Sequence, residues 1–330
     1  MLHEEGKESV MIRRYQIENN SLIESESDQS PVHVYVNPAA PERESLLALY
    51  DSHEHTLSSA LDPDQLSRAE IGSDYIWLIW KRPANYSAKD NFFFNVASVG
   101  LFLMKDRLVV VLPDEIPLVE SVGRHTPKLA TATDVMLAFL YNTTHHYLEH
   151  LKVIKWVSRE LQKKINTSME NKHLIQMFNL SESLVYYLNA INANNAALAK
   201  INTFAQKGNL PSEAVEMLDD IIIENNQCYK QAEVYSTVFS GLMDARGSLV
   251  NNNVNILLKK LTIINVVFMP LNLIAGIGGM SEFSMMTQGI DWRLSYAAFS
   301  GAMVGIGLLT AYFLTKSNLG SSKPEKAKAK

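Results

Sequence analysis

Residues 261–280 have the sequence LTIINVVFMPLNLIAGIGGM, which contains no charged side chain. A second uncharged stretch, LSYAAFSGAMVGIGLLTAYFLT, occupies residues 294–315. An α-helix rises about 1.5 Å per residue, so about 20 apolar residues cross the hydrocarbon core of a bilayer. Two uncharged stretches of this length are rare in a soluble domain. The sequence therefore predicts two transmembrane helices.

The charges beside these stretches predict their orientation. Lys259 and Lys260 precede the first stretch, and residues 316–330, after the second, hold five lysines and one glutamate. The connecting segment, residues 281–293, is less basic. Because lysine and arginine prefer the cytoplasmic side, we expect both termini in the cytoplasm. The protein would then be a multi-pass protein of the inner cell membrane, with a short outer segment.

The composition of the chain excludes several classes of protein. Its 330 residues are 47% hydrophobic and 20% charged, too apolar for a disordered chain and too charged for a protein lying mostly in lipid. The net charge of −5 argues against a nucleic-acid partner. A single cysteine, Cys228, excludes a disulfide scaffold. No GxxxxGK[ST] loop occurs, so nothing in the sequence indicates an ATP-driven enzyme, and we expect no enzymatic activity and no organic cofactor.

Upstream of the apolar stretches, the sequence predicts a small sheet with helices between its strands. Segments rich in Val, Ile, Phe and Trp are typical of strands. These segments are residues 32–36, 75–80 and 92–112, the last a hairpin that turns at residues 105–107. Helical patterns occupy residues 42–50 and 53–71. Together they predict a cytoplasmic α/β domain over residues 1–130.

Long helices follow this domain. Residues 133–207 contain neither proline nor glycine, which predicts a helical region, broken near residues 166–171. Pro211 then suits the first turn of a helix that continues into the first apolar stretch. The predicted fold class is thus an α+β membrane protein. Its remaining parts are a helical stalk at 131–260, two transmembrane helices within 261–315 and a lysine-rich cytoplasmic tail at 316–330.

One stripe of the last stalk helix is polar along its length. Steps of four and three residues from Asp244 give ten positions with heptad spacing, eight of them polar or glycine. These positions are Asp244, Ser248, Asn251, Asn255, Leu258, Thr262, Asn265, Met269, Asn272 and Gly276. Polar groups are costly in hydrocarbon unless they face a partner or water. The stripe therefore predicts either hydrogen bonds between helices or the lining of a pore, and its continuation outside the membrane favours the pore.

The end of the first apolar stretch, FMPLNLIAGIGGMSEF at residues 268–283, resembles the CorA family of divalent-cation transporters. Members of that family carry a similar MPLTFIAG run, followed by a Gly-Met-Asn signature and a short outer loop. The segments SGLMDARGSLVNNN and LTII also resemble the family's stalk-to-membrane helix. The close match covers residues 240–282, and the general layout covers the whole chain.

The resemblance implies a homopentamer in the lipid bilayer, with five first spans around a channel for divalent metal cations. It implies Mg²⁺ both as the transported ion and as a cytoplasmic ion that gates the pore. The pore-lining candidates are Asn255, Leu258, Thr262, Asn265, Met269, Asn272 and Gly276. The signature at the pore mouth becomes Gly279, Met280, Ser281 and Glu282. The candidate metal-binding carboxylates are Asp220 and Asp244.

Two positions depart from the family pattern. Ser281 stands in place of the signature asparagine, and Gly278 stands where tyrosine is usual. A serine hydroxyl reaches less far than an asparagine carbonyl toward the water shell of an entering ion. The alternative functions are therefore transport of Zn²⁺, Ni²⁺ or Co²⁺ by the same fold, or a non-conducting membrane scaffold or sensor.

A histidine-rich stretch gives a weaker signal. In HHYLEH, residues 145–150, His146 and His150 lie one helical turn apart, a spacing that can bind zinc. The alternative, which we favour, is a solvated surface of a stalk helix. We expect Cys228 to be an unreactive stalk residue.

Overall fold

The computed structural model describes residues 11–50, 54–84, 93–116, 118, 129–167 and 171–320. The chain forms two compact units, Met1–Gly241 and Leu242–Lys330.

The first unit is built on a seven-stranded mixed sheet. Its strands are β1 (Met11–Glu18), β2 (Ser21–Ser25), β3 (Val32–Val36), β4 (Arg68–Ile71), β5 (Tyr75–Pro83), β6 (Val96–Met104) and β7 (Arg107–Leu112). They lie in the order β2-β1-β3-β7-β6-β5-β4. β3 and β7 pair in parallel with Val34 opposite Val110, and the other neighbours are antiparallel.

Helices cover both faces of this sheet, which explains why the central strands are almost wholly apolar. One face packs against the short helices α1 (Ala40–Tyr50) and α2 (Glu54–Leu61) through Trp77, Val109 and Val111. The other face, through side chains such as Leu78 and Val110, packs against three long helices.

The long helices are α3 (Ala132–Thr167), α4 (Asn171–Phe204) and α5 (Ser212–Gly278). A reciprocal cap starts α3, since the Asp134 amide donates to Thr131 Oγ1 at 3.2 Å and Thr131 N donates to the Asp134 carboxylate at 2.9 Å. A π-helical turn, Ala205–Asn209, follows α4 and contains Gly208 at φ 80°. Pro211 directly precedes α5.

The second unit contains the end of α5, the short helix α6 (Ser281–Met286) and α7 (Trp292–Gly320). Within the described residues, two helices are long and apolar enough to cross a membrane, with windows of mean hydropathy 1.9 in Ser212–Gly278 and 1.5 in Trp292–Phe313. α5 and α7 pack closely where glycines lie. A Cβ added to Gly307 would lie 3.2 Å from Leu271 Cδ1.

The long elements and the central strands match their sequence-based predictions. Residues 32–36 form β3, residues 75–80 lie in β5, and β6 and β7 form the hairpin, which turns at Lys105 and Asp106. α3 ends at Thr167 and α4 begins at Asn171, as the predicted break requires.

Three parts of the prediction were wrong or incomplete. The predicted helix at 53–71 ends at Leu61, because Pro63 follows and the Asp64 amide donates to Asp62 Oδ1 at 2.9 Å in a turn. Residues 68–71 instead form β4. β1 and β2 were not predicted, and the segment that connects the two apolar stretches is partly helical, since it contains α6.

Candidate ion pathway

The predicted pore-lining residues lie on one exposed face of α5. All seven, from Asn255 to Gly276, are exposed in the single chain. Met269 is 77% exposed and Leu258 is 54% exposed. The Thr262 hydroxyl donates to the Leu258 carbonyl at 2.8 Å, which leaves its oxygen able to accept a further hydrogen bond. We refer to these seven residues as the polar stripe.

The opposite face of α5 is the one that is partly buried. Its half-buried residues are Ile263, Val267, Pro270, Leu271 and Ile274. At about 100° per residue, this set is centred about 180° from the polar stripe. Leu271, on the half-buried face, is the residue that meets Gly307 of α7. The polar stripe is therefore turned away from α7.

The signature segment closes the C-terminal end of α5. The Gly279 amide donates to the Ala275 carbonyl at 3.0 Å, and the Met280 amide donates to the Ile277 carbonyl at 3.1 Å. The Ser281 hydroxyl donates to Glu282 Oε2 at 3.3 Å. Gly279, Met280, Ser281 and Glu282 are all exposed, so the hydroxyl and the carboxylate lie together at the surface beside the helix end.

Gly278 has a packing role that the sequence analysis missed. It is the buried residue of this segment, and a Cβ at position 278 would overlap the aromatic ring of Phe299 on α7. An aromatic side chain beside the signature is thus supplied by α7 rather than by position 278. In the sequence, the only sign of this contact is that Phe299 follows Gly278 by 21 positions. Contacts of this kind between two helices have no fixed sequence spacing, so the sign could not be interpreted.

The two candidate metal carboxylates belong to different units. Asp220 borders a groove of about 900 Å³ in the first unit, and Asp244 lies on an exposed part of α5 in the second unit. The groove is also lined by further carboxylates and one lysine. These side chains are Lys105, Asp106, Asp134, Glu213 and Glu216.

The groove has a negative electrostatic environment. Burial raises the pKa of Tyr141, and the negative charges of Glu224 and Asp220 raise it further. Within the part of the chain that the structure describes, no three His, Cys, Asp or Glu residues are grouped so that they could hold a metal ion. Among those described residues, Asp220 therefore has no complete set of such ligands beside it.

The histidine-rich stretch is only in part the solvated surface that we favoured: Glu149 is exposed and His145 and His146 are half-buried, but His150 is not at the surface. His150 is buried, its Nδ1 lies 2.6 Å from Tyr187 Oη, and its ring contacts Phe94. Burial lowers the pKa of His150 to about 3, and the charge of His146 adds to this effect. His150 is therefore a core residue, with its Nδ1 facing the Tyr187 hydroxyl.

Cys228 is also buried, and burial raises the pKa of its thiol well above the usual value, with Glu224 adding to the shift. This agrees with the expectation of an unreactive cysteine.

The soluble sheet-based unit and the two apolar C-terminal helices define an integral membrane protein of the transporter class. The chain belongs to a known family of this class: the family described as "CorA-like Mg2+ transporter protein" matches it over residues 32–316. Members of the family are divalent-cation transporters rather than enzymes, so the predictions of family, of membrane transport and of no enzymatic activity are confirmed.

Individual relatives agree with this assignment. The Cobalt/magnesium transport protein CorA of Methanocaldococcus jannaschii is 23% identical over 235 residues, which are 68% of this chain and 71% of that protein. The complete structure of the CorA magnesium transporter from the same organism superposes with a TM-score of 0.70 at 18% identity, covering 92% of this chain and 96% of that one. The full-length CmaX protein gives a TM-score of 0.66 at 13% identity, covering 94% and 100%. The predicted fold class is thereby confirmed.

Proposed function

We propose that this chain conducts Mg²⁺ passively through a homopentameric pore lined by the polar stripe of α5. The observation that carries the proposal is the position of that stripe, on the face of α5 opposite the one that packs on α7. Polar side chains within a membrane span need a polar partner or water. Because α7 lies behind α5, the stripe is available to face its own copies around an axis.

The side chains of the stripe suit a hydrated divalent ion. Mg²⁺ prefers an octahedral shell of oxygen atoms and loses its waters reluctantly. The amides of Asn265 and Asn272 and the hydroxyl of Thr262 offer neutral oxygen atoms that accept hydrogen bonds from such a shell. Neutral groups bind an ion weakly enough to release it, whereas a ring of carboxylates would hold it more tightly. Met269 and Leu258 would form apolar constrictions that gate the pore by dewetting.

The membrane potential supplies the driving force in this proposal. A potential of 100 mV is worth about 2.3 kcal/mol per charge, and so about 4.6 kcal/mol for a divalent ion. The flanking lysines favour an orientation with both termini in the cytoplasm. Residues 261–315 would then be the membrane part, and the sheet unit with its stalk helices would lie in the cytoplasm.

Cytoplasmic Mg²⁺ would gate this pore through Asp220. The proposal is supported by the acidic groove beside Asp220 and by the lack of a complete metal site within the described part of a single chain. A ring of subunits would complete each site with a carboxylate from the neighbouring copy. Such sites, when filled, favour the closed arrangement, because the ion binds that state more tightly than the open one.

A second candidate is transport of Co²⁺, Zn²⁺ or Ni²⁺ through the same pore. It is favoured by Ser281, whose hydroxyl is short and donates to Glu282 instead of presenting a carbonyl oxygen to an entering ion. Glu282 at the mouth offers a carboxylate that could replace a water of a more readily dehydrated ion. The name of the M. jannaschii relative includes both cobalt and magnesium.

The test is ion flux into liposomes that contain the purified full-length protein. Mg²⁺, Co²⁺, Zn²⁺ and Ni²⁺ are compared in parallel at a fixed, inside-negative potential. We expect Mg²⁺ uptake that rises with the potential. Flux of the transition-metal ions alone would favour the second candidate. Flux of no ion, in vesicles where the protein is folded and oligomeric, would contradict both and leave a scaffold or sensor.

A further inference from the structure

The end of the α3–α4 hairpin exposes basic and large apolar side chains together. We call the described residues 152–167 and 171–178 the hairpin tip. It carries six lysine or arginine residues and a single acidic residue, Glu160, in a chain whose net charge is −5. The basic residues are Lys152, Lys155, Arg159, Lys163, Lys164 and Lys172, all of which are exposed. Glu160 accepts a hydrogen bond from Lys163 at 2.8 Å, so the tip keeps a net positive charge.

The basic residues of α3 surround an exposed tryptophan. Trp156 is 63% exposed. Three basic residues lie one or two helical turns from Trp156 and therefore on the same side of the helix. They are Lys152, four residues before it, Arg159, three residues after it, and Lys163, seven residues after it. On α4, Ile175 and Phe178 are 56% and 59% exposed. A helix face that is both basic and aromatic is typical of segments that lie at a membrane surface.

Contacts within the first unit give the direction of the tip. Tyr141, near the start of α3, lines the same groove as Asp220, near the start of α5. Further along both helices, Lys155 Nζ lies 5.8 Å from the ring centroid of Tyr235. α3 and α5 therefore run in the same direction. Within the first unit, the tip therefore lies at the end toward which α5 runs.

We infer that the hairpin tip binds the anionic headgroup surface of the membrane, with Trp156 at the interface and the lysine and arginine side chains on the lipid phosphates. Indole rings favour the boundary between headgroups and acyl chains. Each basic side chain near an anionic leaflet contributes about 1 kcal/mol. Two helices of the same chain are long and apolar enough to anchor it in a bilayer, which raises the effective lipid concentration for the tip. An acidic protein partner would be attracted by the charges, but the exposed Trp156, Ile175 and Phe178 match a lipid interface better.

The test measures the fluorescence of Trp156 in full-length protein reconstituted in vesicles. The emission of Trp156 is obtained by subtracting the spectrum of Trp156→Phe, which contains only the other tryptophans, from the spectrum of the parent. Lipids with brominated acyl chains quench tryptophans that reach the interface. We expect most of the Trp156 emission to be lost in brominated vesicles that contain phosphatidylglycerol, and much less loss in purely phosphatidylcholine vesicles. Raising the salt concentration should reduce the quenching, since the attraction is screened.

A charge-reversal pair provides the matched comparison. Lys152→Glu with Arg159→Glu should abolish the quenching. Lys200→Glu with Lys207→Glu makes an equal charge change at exposed sites, one near the far end of α4 and one in the π-helical turn that follows it, and should leave the quenching intact. Absence of quenching in both kinds of vesicle would overturn the inference. Protection of Trp156 from aqueous iodide without any lipid quenching would overturn it in favour of a protein contact. Neither outcome depends on whether the protein conducts Mg²⁺.

Discussion

A single buried histidine makes the stability of the soluble unit depend on pH. His150 has a pKa of about 3 in the folded protein and about 6.5 in an unfolded chain. Between these two pKa values, the histidine is protonated in the unfolded state and neutral in the folded state. The resulting stability is fully present above pH 6.5 and is lost as the pH falls toward 3. Between pH 7 and pH 5, the loss from this group is about 2 kcal/mol.

His150→Gln should flatten that dependence. Glutamine can still hydrogen-bond to Tyr187 but does not titrate. The free energy of unfolding is measured in urea at pH 7, 6 and 5, from the fluorescence of Trp77 and Trp80, which are buried in the sheet. Some dependence should remain from His33, whose pKa is also lowered by burial and by the charges of Arg107 and Arg14. An unchanged slope in the variant would show that His150 is not buried as a neutral group.

Ser281 is the residue at which we expect ion selectivity to be set. Its hydroxyl is engaged with Glu282 at 3.3 Å, whereas an asparagine there would extend a carbonyl oxygen past that pair. Ser281→Asn should raise the ratio of Mg²⁺ to Co²⁺ flux several-fold, because a longer acceptor can hold the water shell of Mg²⁺. Ser281→Ala controls for loss of the hydroxyl alone. Flux ratios that are equal in Ser281→Asn and the parent would mean that position 281 does not select.

At the scale of whole elements, the helix α5 carries the predicted pathway. Asn272→Leu removes a polar group from the stripe and makes it more apolar. We expect at least about a tenfold loss of flux, which corresponds to about 1.4 kcal/mol in the barrier. Phe268→Leu is the matched control, because Phe268 is an exposed residue of the same span that lies off the stripe. Equal losses in both variants, with intact oligomers, would contradict the assignment of the stripe to the pore.

The elements that the sequence predicted are those with a strong repeating signal. Continuous apolar runs such as VHVYV and RLVVVL are buried on both faces of the sheet, and the absence of proline and glycine from residues 133–207 marks the long helices. β1, with the sequence MIRRYQIE, is half polar: Tyr15 is buried, and Ile12 and Ile17 are only partly buried against the core, so its pattern was not distinctive. His150 was misjudged because its burial depends on Tyr187 and Phe94, which come from distant segments.

Some features of the candidate site could likewise be predicted from a repeating sequence pattern, and others depend on how distant segments pack. The polar stripe was visible because a helix converts sequence spacing directly into a face. The contact between Gly278 and Phe299 was not, since it depends on how α5 and α7 pack. Asp220 was found only through the family resemblance. The groove beside it is formed by the β6–β7 turn and by the starts of α3 and α5, three segments that the sequence does not bring together.

At the scale of the whole molecule, regulation by cytoplasmic Mg²⁺ would require several copies of the chain. Asp220 lies beside an acidic groove, and a pentamer would repeat that negative charge around the assembly. Bound Mg²⁺ would neutralise the carboxylates and hold neighbouring subunits together. Without the ion, like charges repel and the subunits can separate. A lysine at this position would replace the ion by a fixed positive charge.

Asp220→Lys should therefore make the soluble unit resistant to protease whether or not Mg²⁺ is added, whereas the parent should gain resistance only with Mg²⁺. Limited proteolysis of the full-length protein across a Mg²⁺ titration measures this difference. Asp219→Lys is the matched control, because Asp219 is an equally exposed neighbour that does not line the groove. It should keep the parent's dependence on Mg²⁺. If Asp220→Lys also keeps that dependence in full, Asp220 is not the sensor, and the closing signal must come from another carboxylate of the groove or from the exposed Asp244.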